Sequence, residues 1–216
     1  MFNKILGRYK CFIFDFDGVI KDTIDVKGDA FVQIFRPTIC DELVLRIQEH
    51  HKLNGGVSRF EKIRTYLQWL GKDCSEKAVL KFCEKFSKVV QQRVVHSPFV
   101  PGIVLFLNSL PHNSKKGIAS AIPEKELAGI VTSLDLPKFD FVCGWPKSKT
   151  VLIKEAMARF ELNHDDILFF GDSVTDLNAA VNTQVDFIFI QSNSVPIQSD
   201  YPIFQVKDFN ELVDGE

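Results

Sequence analysis

The sequence predicts an α/β fold, a doubly wound parallel sheet interrupted after its first strand by a block of helices. Three observations predict it. Short apolar runs of strand length alternate with amphipathic helical stretches from Lys116 onward, the pattern of a parallel sheet covered on both faces. One further apolar run, Cys11 to Phe14, stands far upstream of that alternation. The residues between the two carry apolar side chains at helical spacing.

In chain order, Cys11, Phe12, Ile13 and Phe14 suit a strand buried on both faces, and the run ends abruptly in Asp15-Phe16-Asp17-Gly18. Ligands of open α/β sheets bind beyond the carboxyl ends of the strands, so this strand delivers two carboxylates to that address. After Gly18 the spacing is helical for about 70 residues. Phe31, Ile34 and Phe35 share one face, Phe60, Ile63, Leu67 and Leu70 a second, and Val79, Phe82, Phe86, Val89 and Val90 a third. Turns are expected at Arg36-Pro37, Asn54-Gly55-Gly56 and Gly71-Lys72-Asp73. Pro98 to Gly102 closes the block and starts a helix over Ile103 to Leu110. Strands then follow over Gly117 to Ala121, Phe139 to Cys143, Asp166 to Phe170 and Val185 to Ile190, with a weaker one near Ile203 to Val206. Helices are expected over Glu124 to Leu134, Lys149 to Phe160 and Val174 to Asn182. Residues 1–20 and 98–216 thus read as the α/β core and 21–97 as an inserted helical domain.

The chain has 216 residues, 45% hydrophobic and 25% charged, enough for one α/β domain with an insertion. Its 26 Lys and Arg against 28 Asp and Glu leave a net charge of -2, no global footprint for a nucleic acid or an acidic membrane. Five cysteines show no CxxC spacing and several lie in apolar segments, which points to a reducing compartment. MFNKILGRYK matches neither a signal peptide nor an anchor, and no apolar run reaches the roughly 18 to 20 residues of a membrane span. The expectation is a cytoplasmic monomer or weak homodimer. GxGxxG and GxxxxGK loops are absent from the sequence, so nucleotide binding of those kinds is unsupported.

Polar residues gather just beyond the expected strands: Ser120, then Gly144-Trp145-Pro146-Lys147-Ser148-Lys149, then Gly171-Asp172-Ser173-Val174-Thr175-Asp176. Each has a bland reading. Ser120 could cap the helix beginning near Pro123, Asp172 and Asp176 could be acids favoured by a helix dipole, and Lys147 and Lys149 could be solvated. Independent caps have no reason to fall at adjacent strand ends. The chemistry that needs the set together is phosphoryl transfer through an enzyme carboxylate, with Asp15 as nucleophile. A divalent cation and a lysine would offset the phosphate charge. Mg²⁺ favours one or two carboxylates plus water and substrate oxygen, which Asp15, Asp172 and Asp176 could supply. Ser120 and nearby amides could hold phosphoryl oxygens, and Asp17 could handle protons.

DFDGV (Asp15 to Val19), IAS (Ile118 to Ser120), Lys149 and GDSVTD (Gly171 to Asp176) resemble, in order, the four motifs of the haloacid dehalogenase superfamily of phosphohydrolases, across nearly the whole chain. The resemblance is to the phosphoglycolate phosphatase and β-phosphoglucomutase-like branch, and it implies a Rossmann-like core with a helical cap of the C1 type. It also implies Asp15 as nucleophile, Asp17 as acid/base, Ser120 and Lys149 as phosphate contacts, and Mg²⁺ held by Asp15, the Asp17 carbonyl and Asp172, with Asp176 direct or one step removed. In the cap, GVSR resembles a loop in which Gly56, Ser58 and Arg59 govern substrate specificity; the other reading makes Ser58 a helix N-cap and Arg59 a solvated cation. Lys27 stands where a mutase of that branch carries a His, which favours a phosphatase, and Asp17 argues against a true dehalogenase. His50 and His51 are expected to be solvated. Trp145 could pack in the core or wall the pocket. The expected activity is Mg²⁺-dependent hydrolysis of a sugar phosphate or similar phosphomonoester, with a sugar-phosphate mutase and a non-catalytic binding protein on the same fold as rivals.

Overall fold

Cys11–Phe14 forms β1, the strand on which the architecture is hung. Its four side chains are fully buried and alternate between two cores, Phe12 and Phe14 on one face of the sheet and Cys11 and Ile13 on the other. The computed structural model describes residues 7–191, 194, 196, 201 and 203–213. Beyond β1 the core strands are β2 (Lys115–Pro123), β3 (Phe141–Trp145), β4 (Ile167–Gly171), β5 (Asp186–Ile190) and β6 (Phe204–Val206). Among the described residues they form a parallel six-stranded sheet in the order β3-β2-β1-β4-β5-β6. β1 is central, with Ile13 opposite Gly117 of β2 and Phe169 of β4. Phe14 stacks on Phe170 with centroids 4.8 Å apart, and Phe106 and Phe209 close around them. Burial of each such ring is worth about 1.5–3 kcal/mol, which locks the carboxyl end of β1 in place.

Between β1 and the rest of the sheet lie α1 (Ile24–Phe35), α2 (Asp41–Leu53), α3 (Arg59–Trp69) and α4 (Glu76–His96). The turns expected at Arg36-Pro37, Asn54-Gly55-Gly56 and Gly71-Lys72-Asp73 all fall between these helices. Phe31 stacks on Phe86 at 4.2 Å and Phe35 on Phe82 at 4.9 Å, so the apolar faces read from the sequence do meet one another. Ser58 and Ser75 cap α3 and α4. α2 shows no apolar face in the sequence, and it buries only Ile47 and His51. These helices are the inserted cap of a Rossmann-like fold.

The core helices are α5 (Ile103–Ser109), α6 (Glu124–Thr132), α7 (Lys149–Phe160), α8 (Val174–Thr183) and the short α9 (Asn210–Val213). β3 begins two residues later than its apolar run suggested. Phe139 is buried in the preceding loop, edge-on to Phe14, and Asp140 accepts from the Lys116 amide at 2.9 Å, which ends the loop at Phe141. β2 outruns its expected ends, and its pairing with β3 slips between Ala119 and Pro123, a bulge that contains Ser120. The five cysteines are unpaired, and among the described residues no helix is long and apolar enough to cross a membrane.

Candidate active site

The Asp15 amide still donates to the Phe170 carbonyl at 2.9 Å, so this carboxylate sits at the last rung of the β1–β4 ladder, 2% exposed. Two neighbouring elements close on it. Lys149 opens α7 behind its N-cap Ser148, and Asp176 lies in the first turn of α8. The Lys149 ammonium is 2.8 Å from Asp15 Oδ2 and 2.5 Å from Asp176 Oδ1, while the Ser173 hydroxyl donates to the other Asp176 oxygen. Asp172, one residue past β4, accepts from Ser194 Oγ at 2.6 Å. Gly18 has φ +74°, and a Cβ there would lie 2.0 Å from Asp172 Oδ2, so only glycine lets the chain leave β1 past this carboxylate.

Of the three buried carboxylates, the Lys149 ammonium pairs with two, Asp15 and Asp176. Burial pushes the Asp15 carboxyl up to about 7, against the pull of Lys149 and with the help of Asp176 and Asp17. Burial likewise raises Asp172 well above the ordinary range, reinforced by Asp15 and Asp176. Burial opposes the charge on Lys149, but Asp15 and Asp176 outweigh it and raise its pKa. Ligand atoms of Asp15, Asp172 and Asp176 lie within 4.8 Å of one another, and buried Asp15 Oδ1 has no hydrogen-bond partner among the described residues. An all-oxygen set short of positive charge, with an orphaned lone pair, fits a hard divalent cation such as Mg²⁺. Both Asp176 oxygens are already engaged, which leaves Asp15 and Asp172 as the better donors.

Asp17 stands apart from this cluster. Its Oδ1 accepts from the Thr23 hydroxyl at 2.6 Å and its Oδ2 from the Lys27 ammonium at 2.5 Å. Burial alone would raise its pKa, but Lys27 and Thr23 outweigh burial and hold it below the usual carboxylate range. Ser120 is buried, and its Oγ accepts from the Ile122 amide at 3.3 Å; Pro123, not Ser120, is the N-cap of α6. Lys147 turns outward to Glu155 at 2.7 Å, so of the two lysines only Lys149 reaches the carboxylates.

A cavity of about 270 Å³ lies between cap and core, with Asp15 and Asp17 in its lining and Lys27, His51, Arg59 and Lys62 reaching it from the cap. Gly56, at φ +74°, abuts α8, where a Cβ would lie 1.8 Å from Thr175 Oγ1. Ser58 is a helix N-cap. Arg59 is buried rather than solvated: it forks onto Glu126 of α6 with two contacts of 2.8 Å and donates to Ser87 at 2.6 Å. Trp145 stacks on Phe60 of the cap at 3.9 Å, so it serves the seam between the two parts. The expectation of solvated histidines is corrected. His50 packs edge-on to Tyr66 and Trp69, and His51 is buried, bonded to the Ile24 carbonyl and to Lys62. The one sequence sign of Lys62 is its position three residues beyond Arg59 on the same helix.

The sheet order, the inserted helices and the carboxylates at the end of the central strand define a capped, doubly wound α/β protein with an acidic site. The chain belongs to the haloacid dehalogenase-like hydrolase family, whose model matches residues 12–190. A search of curated proteins finds no significant match to the sequence. Solved structures share the fold. A candidate phosphoglycolate phosphatase from Lactobacillus delbrueckii subsp. bulgaricus superposes with a TM-score of 0.74 at 20% identity, over 96% of this chain and 98% of that one. A haloacid dehalogenase-like hydrolase from Streptococcus pneumoniae gives 0.73 at 16% identity over 97% and 100%. The β-phosphoglucomutase of Clostridium difficile gives 0.71 at 19% over 94% and 93%.

Proposed function

We propose that this protein is a phosphatase that hydrolyses a small phosphorylated metabolite through an aspartyl phosphate on Asp15, with residues 21–97 acting as the cap over a core of 1–20 and 98–216. The observation that carries the reading is Asp15 itself: a buried carboxylate at the end of the central strand, with Lys149 on one oxygen and the other oxygen unpartnered among the described residues. Mg²⁺, held by Asp15, Asp172 and the Asp17 carbonyl with Asp176 in support, would neutralise phosphoryl charge as the nucleophile approaches.

A carboxylate oxygen of Asp15 attacks phosphorus, an O–P bond forms on Asp15, the ester P–O bond breaks, and the leaving oxygen takes a proton that Asp17 has bound from solvent against the pull of Lys27. Asp17, again a carboxylate, then removes a proton from the water that attacks the same phosphorus and frees phosphate and Asp15. Lys149 and Ser120 hold the phosphoryl oxygens. Lys27 favours the ionised form of Asp17, which suits the water-activating half of the cycle. A mutase would use the same base on a substrate hydroxyl, so isomer assays, not this contact, separate hydrolysis from transfer.

The test is release of inorganic phosphate from a panel of phosphorylated metabolites, with and without Mg²⁺, and with sugar isomers assayed in parallel. Metal-dependent phosphate release without isomer formation supports the reading. Isomer formation without net phosphate release would assign a mutase instead.

A further inference from the structure

We propose that Lys62, oriented by His51, forms a second anion site in the cap, so that the preferred phosphomonoester carries a further carboxylate or phosphate group; this rests on the phosphatase reading above. The cations that surround the site differ in whether a carboxylate matches them. Lys149 is matched by Asp15 and Asp176, Lys27 by Asp17, and Arg59 by Glu126. Lys62, 3% exposed and lining the same cavity, has no carboxylate within ion-pair distance among the described residues. Its ammonium lies 3.0 Å from His51 Nδ1 and 3.5 Å from the His51 carbonyl. His51 Nε2 is 3.0 Å from the Ile24 carbonyl and can only donate there, which leaves the Nδ1 lone pair to accept from Lys62 and fixes the tautomer.

A buried cation without an acid is costly, and it is retained where a ligand supplies the missing charge. Burial, then the repulsion of Lys27, lowers Lys62 to about 7, the state of an ammonium short of a counter-anion. Arg59, the cap cation to which the motif resemblance points, cannot fill this role because Glu126 and Ser87 occupy its guanidinium. A cavity of about 270 Å³ suits a short carbon chain between the two anionic groups.

Three matched probes separate the possibilities: glycerol 3-phosphate, 3-phosphoglycerate, which replaces its terminal hydroxymethyl by a carboxylate, and propane-1,3-diyl bisphosphate. Calorimetric titration of each into Asp15→Asn protein with Mg²⁺ reads binding without turnover, and kcat/KM on the wild type reads catalysis. At least one of the two probes with a second anionic group should bind about 10- to 100-fold more tightly than glycerol 3-phosphate, the scale of one charge-assisted hydrogen bond. The tighter of the two names the second group. Lys62→Met should remove that advantage through KM, leave glycerol 3-phosphate within about threefold, and be partly rescued by Lys62→Arg. Equal binding of all three probes, or an equal loss on all three in Lys62→Met, overturns the anion site. Discrimination in binding without hydrolysis by the wild type would instead retain the site and overturn the phosphatase reading.

Discussion

The Lys27 ammonium lies 2.5 Å from Asp17 Oδ2, so the first cap helix holds the residue proposed to move protons. With Thr23 on the other oxygen, both acceptor sites of Asp17 are fixed before substrate arrives. Cap and chemistry are joined at this pair.

Asp17→Asn should therefore lower kcat by about 10²–10⁴-fold, the usual scale of general acid–base catalysis. Lys27→Met, which leaves the carboxylate but releases its orientation, should cost no more than about 10²-fold, with most of the loss in kcat. Steady-state kinetics on one phosphomonoester compares the two. A larger loss from Lys27→Met than from Asp17→Asn would place the proton chemistry on Lys27 instead.

Gly18→Ala should act through the metal set. The added methyl would lie 2.0 Å from Asp172 Oδ2 on a backbone at φ +74°, so either Asp172 or the loop must move. The concentration of Mg²⁺ giving half-maximal activity should rise about 10- to 100-fold, as when the support of a metal ligand is lost. An unchanged Mg²⁺ dependence would remove Asp172 from the set.

The sign of the Lys62 effect on stability follows from its lowered pKa. It titrates near 7 in the folded protein, whereas an unfolded lysine titrates near ~10.4. Between these values the unfolded chain binds the additional proton, so the penalty is full below about pH 7 and fades as pH rises through the window. Lys62→Met should raise the melting temperature by a few degrees at pH 6.5, at about 2–4 °C per kcal/mol, and by progressively less toward pH 10. His51, itself held well below its ordinary pKa by burial and Lys62, titrates beneath this window. A shift independent of pH would show that Lys62 carries no such penalty.

Much of this site was legible in the sequence because its parts are local. Cys11 to Phe14 followed by two aspartates declares both a buried strand and its functional end, and Lys149 opens its helix at the expected residue. Ser148 caps that helix, which explains why Lys149 is turned inward while Lys147, on the other side of the cap, reaches Glu155. What escaped is tertiary. Arg59 meets Glu126 across 67 residues, and Lys62 meets His51 from a neighbouring helix. Helical spacing gives the apolar face of α3 and none for α2, and it cannot say that a lysine beside that face is buried, since lysines are most often exposed. Phe139 extends the apparent run of β3 for a similar reason: its apolar character serves the core from a loop.

The central claim is that Asp15 carries the phosphoryl group. Wild-type protein mixed with a ³²P-labelled phosphomonoester and Mg²⁺, quenched in acid during turnover, should carry an acid-stable, base-labile label on the peptide that contains Asp15, and Asp15→Asn should carry none and release no phosphate. Label on another residue, or sustained hydrolysis by Asp15→Asn, would contradict the account.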